Sequence, residues 1–222
     1  MCGRYFFSSS PSETGEHFGV DVRDKFPTRY NIAPTQPVAH IRQGPKGREY
    51  ALARWGFIPS WMKKVDGRPM INARAETVAE KPMFRSAFRR RRCLVPANGF
   101  YEWLGKDAWC IRPADERPFA FAGVWETAVD PDGGEIDTLA ILTTESGSDV
   151  RPIHHREAVV VSPSDYARWL EADERDVEEL APLLSTAPAG FWRVYRVSNA
   201  VNSVRSEGAA LIEPVATQAS LL

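Results

Sequence analysis

The chain predicts an α+β domain with a mainly antiparallel β-sheet core and short peripheral helices. Short alternating or apolar runs of strand length recur between turns drawn from 17 prolines and 15 glycines. Helical candidates are few, and strands do not alternate regularly with helices, which disfavours a doubly wound parallel sheet. In 222 residues, 43% apolar content with 11% aromatic is enough for a real core. No repeat, low-complexity tract or long Gly/Ser linker divides the chain, so one domain over 1–222 is expected, with about 216–222 as a flexible tail.

In chain order, Ser12 to Phe18 reads as a helix. Val38 to Arg42 and Tyr50 to Trp55 read as strands from their apolar and alternating patterns. Pro82 to Arg90 is the second helical candidate. Phe119 to Thr127, Thr138 to Thr143 and Ala158 to Val161 are apolar runs of strand length. Ser162-Pro163-Ser164-Asp165 is a start signal for a helix over Ser164 to Leu170, followed by another over Val177 to Leu184. Trp192 to Val197 closes the series as a strand.

Composition narrows the function. No long apolar run and no basic-then-apolar leader is present, which argues against a membrane span and a secretory signal and predicts a cytosolic protein. Three cysteines, at 2, 93 and 110, form neither a disulfide framework nor a CxxC site, and the four histidines do not cluster with them. No metal and no cofactor are expected, and Cys93 and Cys110 read as packing residues. The net charge of −1 hides an asymmetry: residues 1–111 hold 19 Lys and Arg against 10 Asp and Glu, and residues 112–222 hold 9 against 19. The total argues against indiscriminate polyanion binding, while the basic half allows a local phosphate-binding face. Arginine supplies 22 of the 28 cations, and its planar fork suits phosphate. The run Arg89 to Arg92 reads as a solvated face and is left out of the site.

Cys2 is the most informative residue. Removal of Met1 before a small residue would expose a 1,2-aminothiol followed by Gly3. An α-amine titrates near about 7.7–8.0 and a thiol near about 8.5, so both are nucleophilic close to neutrality. Such a pair condenses with aldehydes: the amine gives a Schiff base, and the thiol closes on it to a five-membered thiazolidine. A cysteine at position 2 would be incidental on its own, but a recurring arrangement supports it. Residues i and i+2 of an extended segment face the same way, and Cys2/Arg4, Asn72/Arg74 and His154/Arg156 each set a reactive or polar residue two places before an arginine. If the three segments converge, they assemble a nucleophile, an amide, an imidazole and three guanidiniums. His155 would then point to the opposite face, and His17 and His40 receive no role. Glu102, inside Asn98-Gly99-Phe100-Tyr101-Glu102-Trp103, is the candidate acid, its carboxyl desolvated by aromatic neighbours.

Several segments together resemble the SRAP family, the SOS response-associated peptidases or abasic-site processing proteins. They are Met1-Cys2-Gly3-Arg4-Tyr5, Arg29-Tyr30-Asn31-Ile32-Ala33-Pro34-Thr35, Trp55-Gly56-Phe57-Ile58-Pro59-Ser60-Trp61, Ile71-Asn72-Ala73-Arg74-Ala75-Glu76-Thr77, Arg92 to Trp103 and Ile153-His154-His155-Arg156. The likeness runs in order on to Ser198-Asn199-Ala200-Val201 and Glu213-Pro214-Val215, nearly the whole chain. It implies a protein that recognises abasic sites in single-stranded DNA, junctions included, and crosslinks itself to them through Cys2. The resemblance makes Cys2 the nucleophile, has Asn72 orient the adduct, and gives proton transfer to Glu102 and His154; we assign Glu102 to imine formation and His154 to opening the sugar. It implies phosphate contacts by Arg4, Arg74 and Arg156, base stacking by Trp61 and Trp103, and a polar position at Thr143 beside the pocket. It also implies self-removal of whatever precedes Cys2, a weak lyase activity by β-elimination from the imine, a monomer, and association with the nucleoid when engaged.

Two departures stand out. Where the family commonly continues with Met-Pro after the His-x-Arg segment, this chain has Glu157-Ala158, and the added carboxylate is expected to weaken the grip of Arg156 on phosphate. Met62 follows Trp61 where some members carry a second aromatic. Two other readings stay open. A Met-Cys-Gly start also opens class II glutamine amidotransferases, which would leave the Asn72, Glu102 and His154 segments unexplained. A noncatalytic single-strand binding module would make Cys2 incidental.

Overall fold

The computed structural model describes residues 2–22, 26–62, 70–129 and 133–215. The strands are β1 (Tyr5–Phe7), β2 (Arg29–Ile32), β3 (Pro37–Gly44), β4 (Gly47–Trp55), β5 (Asn72–Arg74), β6 (Arg92–Ala97), β7 (Gly99–Leu104), β8 (Asp107–Pro113), β9 (Phe119–Val129), β10 (Glu135–Glu145), β11 (Arg156–Ala158), β12 (Val160–Val161) and β13 (Trp192–Arg196). The α-helices are α1 (Pro11–Phe18), α2 (Arg85–Arg90) and α3 (Tyr166–Glu171). The expected α+β class with a mainly antiparallel core is what the chain adopts. The segment 216–222, expected as a tail, lies outside the described residues.

One sheet runs β13-β8-β7-β1-β2. In the other, the pairings β10–β4, β4–β3, β3–β6, β6–β9 and β9–β10 return to their start and close a ring of five strands. Period-2 alternation sorts its side chains. Cys93, Val95, Phe121, Leu139 and Ile141 pack with Tyr5, Ile32, Phe100 and Ile111 of the other sheet. Their neighbours Leu94, Ala120, Ala122, Ala140 and Leu142 pack instead with Phe18, Phe88, Tyr166 and Trp169 of the helices. Small alanines on that face let the helices approach closely. Two pairings are parallel: β4 and then β5 lie along β10.

The expected strands form, with two differences. Ala158 to Val161 splits into β11 on β10 and β12 on β9, because Val159 leaves the first ladder to bond Leu142 and Ala122. Helices are shorter than read: Pro82 to Phe84 precedes α2 as turn, the α3 region opens with a 3-10 turn at Pro163–Asp165, and Val177–Leu184, with Pro182 inside it, is 3-10. At α1, Ser10 and Glu13 form a capping box and Gly19 caps in the left-handed region. Arg92 corrects the reading of Arg89 to Arg92 as a solvated face. It is buried and donates to Phe88 O, Arg89 O, Trp169 O and Ala172 O, satisfying carbonyls near the ends of α2 and α3. Among the described residues no helix is long and apolar enough to cross a membrane.

Candidate active site

The link between β6 and β7 sets the site. Asn98 Oδ1 accepts from Ser8 N–H at 2.8 Å, Ser9 N–H at 3.1 Å and the Ser9 hydroxyl at 3.2 Å, tying the chain after β1 to this corner. A Cβ at Gly99 would come within 2.4 Å of the Phe6 ring, so only glycine lets β7 lie this close to β1. In that register Tyr5 pairs with Phe100, and Tyr101 N–H donates to Arg4 O at 2.9 Å. Cys2, 0% exposed, is thereby packed into the core that Tyr5 and Phe100 share. From the other sheet, β5 lays Asn72 opposite Ile141, and Asn72 Nδ2 donates to Cys2 O at 2.8 Å. Asn72 Oδ1 is buried with no hydrogen-bond partner among the described residues.

Glu102 lies on β7 two residues beyond Phe100, hence on the Cys2 side of that sheet, while Tyr101 belongs to the core on its far side. It is 3% exposed, and burial holds its carboxyl above the usual carboxylate range, an effect that His155 partly offsets. Burial pushes the Cys2 thiol up, and the Glu102 charge pushes it further, so the sulfur is a neutral thiol. His154 is lowered by burial, and its Nδ1 lies 3.0 Å from both the Arg156 N–H and the Arg156 carbonyl oxygen. Cys2 and Asn72 thus meet where the two sheets face each other, with Glu102 on that side of β7 and His155 of the His154 loop within electrostatic range of Glu102.

The arginines divide. Arg74 is exposed at the end of β5. Arg4 donates to Asn31 Oδ1 and Val201 O, each at 2.8 Å, with its guanidinium 6.0 Å from the Trp103 ring. Trp103 is half-buried and donates Nε1–H to Asn202 Oδ1 at 2.6 Å, whereas Trp61 is 61% exposed. Arg156 is buried and already matched. It meets both carboxylate oxygens of Glu76, at 2.6 and 2.9 Å, and donates to the carbonyl oxygen of the wholly buried Thr143 at 2.6 Å.

Of the three segments read as extended, Asn72 to Arg74 is a strand. His154 is not extended: it follows a turn over Arg151 to Ile153, with Ile153 N–H and His154 N–H both on Val150 O, and β11 begins only at Arg156. His155 therefore does not point away. Its ring stacks on His154, centroids 4.5 Å apart and planes at 26°. Nor does Glu157 compete for Arg156. It faces the opposite way, fully buried, accepting from Gly147 N–H at 3.2 Å, Ala187 N–H at 2.9 Å and the Thr186 hydroxyl.

Sequence reasoning missed Asn31, Glu76, Asn98 and His155. Asn31 is wholly buried, takes Arg4 on its oxygen and gives its amide to Ser203 O and Ser206 O. All four sit inside the motif segments quoted above, but their partners are tens of residues or more away, or lie across a turn that the extended reading did not anticipate.

The model of the family described as SOS response associated peptidase (SRAP) matches residues 1–204. The abasic site processing protein YoqW of Bacillus subtilis is 35% identical, over 96% of this chain and 99% of its own. The abasic site processing protein YedK of Escherichia coli is 30% identical, over 97% of this chain and 100% of its own. A solved structure of a protein from Bacteroides thetaiotaomicron has the same fold, at a TM-score of 0.84 with 23% identity, covering 97% of this chain and 100% of that one. With the family model spanning the two sheets, the corner at Gly99 and the residues that meet at Cys2, this chain belongs to the SRAP family.

Proposed function

We propose that this protein processes abasic sites in single-stranded DNA by closing a thiazolidine on them with the N-terminal Cys2. The observation that carries the reading is the buried placement of Cys2 beside Asn72 and Glu102, with the Cys2 carbonyl fixed by Asn72 Nδ2 at 2.8 Å. A structural cysteine needs neither an amide holding its backbone nor a buried carboxyl beside it. The names of the relatives point to the same lesion.

An abasic deoxyribose is mostly a closed hemiacetal. His154 handles the proton exchange that opens the ring and frees the C1′ aldehyde. Once Met1 is removed, the α-amine of Cys2 adds to C1′, the former carbonyl oxygen takes up an amine proton and becomes a hydroxyl, that hydroxyl leaves as water on a proton from Glu102, and the remaining N–H proton returns to the Glu102 carboxylate, giving the imine. Burial raises Glu102, so it retains a proton at a higher pH than an exposed glutamate would. The neutral thiol then adds across C=N, sulfur to carbon and hydrogen to nitrogen, with one water released overall and no redox step. The same imine, losing a proton at C2′, gives the lyase reaction by β-elimination. Whatever precedes Cys2 is removed by an aminopeptidase or by the protein itself.

Arg74 and Trp61 take the DNA backbone and a flanking base in this reading, which their exposure supports. Arg4 and Trp103 extend that face as a guanidinium over an indole. Arg156 is held by Glu76 and the Thr143 carbonyl, so a phosphate contact by Arg156 would have to displace Glu76. The test is a denaturing gel of Met1-free protein mixed with a single-stranded oligonucleotide carrying one abasic site. A heat-stable shifted band that is lost in Cys2→Ala is expected. No band from the Met1-free protein would defeat the reading.

A further inference from the structure

His155 has no place in the chemistry above, yet the fold presents it with care. Its segment is held at both ends: Arg151 N–H bonds Gly147 O at 2.9 Å, His154 N–H bonds Val150 O at 3.0 Å, and Ser146 N–H bonds His155 O at 3.1 Å. Beneath, the buried Glu157 carboxylate ties Gly147 to Thr186 and Ala187, and Asp149 accepts from Gly190 N–H and Trp192 N–H. On this pinned loop the two imidazoles stack at 4.5 Å, His154 half-buried and His155 exposed.

We propose that His155 is a proton-relay residue of this site, its exposed imidazole stacked on His154 and within electrostatic reach of Glu102, exchanging with water the protons that those two groups give up and take back. The inference rests on the reading of the site as an aldehyde-trapping centre.

Three facts support it. Glu102 is 3% exposed, so the protons it exchanges with solvent before and between turnovers pass through a neighbour. His155 is exposed to water and interacts electrostatically with both Glu102 and His154, while Arg156 adds a positive charge on the same side. Two stacked imidazoles at 4.5 Å do not both carry charge readily, and Arg156 further disfavours the second proton. The pair therefore holds one proton more readily than two, which is what a relay between solvent and a buried acid needs. Glu102 acts in the opposite sense and favours the charged form of His155.

The test uses Met1-free protein and two variants, His155→Ala and His155→Asn. Because the residue is exposed, both are expected to fold and to bind an intact single strand as the parent does. Crosslinking to an abasic oligonucleotide is expected to slow about three- to tenfold near pH 7, less than the roughly hundredfold or greater loss of a direct acid or base. Added imidazole buffer at fixed pH and ionic strength should restore the rate of both variants and leave the parent unchanged. In parallel, proton NMR titration should show the His155 ring titrating at higher pH in His154→Ala than in the parent. Variants that crosslink within twofold of the parent, or a slower rate that imidazole does not restore, would overturn the relay. An unmoved His155 titration would overturn the coupling behind it. A parent that never crosslinks would overturn the relay together with the function it serves, whereas a crosslinking parent with indifferent variants removes the relay alone.

Discussion

Replacing Arg156 with Met separates support of the site from direct phosphate contact. The side chain of Arg156 is 11% exposed and that of Glu76 is 44% exposed, so the released Glu76 carboxylate returns to water at little cost. The two Arg156–Glu76 contacts, at 2.6 and 2.9 Å, behave as a partly exposed ion pair worth at most about 1 kcal/mol net. The Thr143 carbonyl, in a residue with no exposure, loses a charged donor at 2.6 Å, a loss of about 1–3 kcal/mol. Arg156→Met should therefore cost about 1–4 kcal/mol, a fall in Tm of about 2–16 °C for a chain of this size. Thermal and urea denaturation of the free protein measure it. Arg74→Ala is the contrast: exposed on β5, it should leave Tm within about 2 °C but lower the salt dependence of single-strand binding by about 0.7 in log–log slope, one phosphate. An Arg156→Met protein as stable as the parent, with weakened DNA binding and a reduced salt slope, would refute the structural assignment and return Arg156 to the phosphate face.

Glu102→Gln should abolish or severely slow crosslinking yet stabilise the fold. The folded pKa lies above the unfolded one, so the parent loses stability as pH rises from the unfolded glutamate value, near about 4.3, through the folded value. Urea midpoints from pH 4 to pH 8 should show the advantage of the variant growing with pH, and an advantage that shrinks would contradict the assignment. Gly99→Ala drives a methyl into the Phe6 ring and should cost about 1–3 kcal/mol while spoiling the approach of β7 to β1, read as lower Tm together with slower crosslinking. Thr35 is a β-branched residue at φ 72°, so Thr35→Gly should raise stability by about 1 kcal/mol in urea denaturation, and a loss would show that the Thr35 side chain offsets the strain.

Much of this architecture was legible in the chain. The apolar runs Phe119 to Thr127 and Thr138 to Thr143 lie within β9 and β10, strands buried on both faces, and Ser12 to Phe18 lies within α1. Cys2, Asn72 and Glu102 were singled out as an aminothiol, an amide two places before an arginine and a carboxyl among aromatics, and the fold brings Cys2 against Asn72 on the side of β7 that carries Glu102. What escaped depends on long-range partners or on a change of backbone direction. Nothing near Arg92 says that its guanidinium will serve carbonyls of both α2 and α3, some 80 residues apart in the case of Ala172. Nothing near Arg156 announces Glu76, 80 residues earlier. The i, i+2 rule failed at His154 because a turn precedes it, and the same turn brings His155 to the side from which the rule excluded it. Glu157, read as a competitor for Arg156, has its partners at Gly147, Thr186 and Ala187, which alternation along β11 places on the other face.

The most direct test of the central claim is the intact mass of the adduct between Met1-free protein and an abasic oligonucleotide, with and without borohydride. The account predicts the sum of the two masses less one water, unchanged by borohydride because a closed thiazolidine has no C=N bond to reduce, and no adduct from Cys2→Ala. An adduct that gains two hydrogens with borohydride would show an open imine in place of the ring, and one that forms equally well with Cys2→Ala would remove Cys2 from the chemistry.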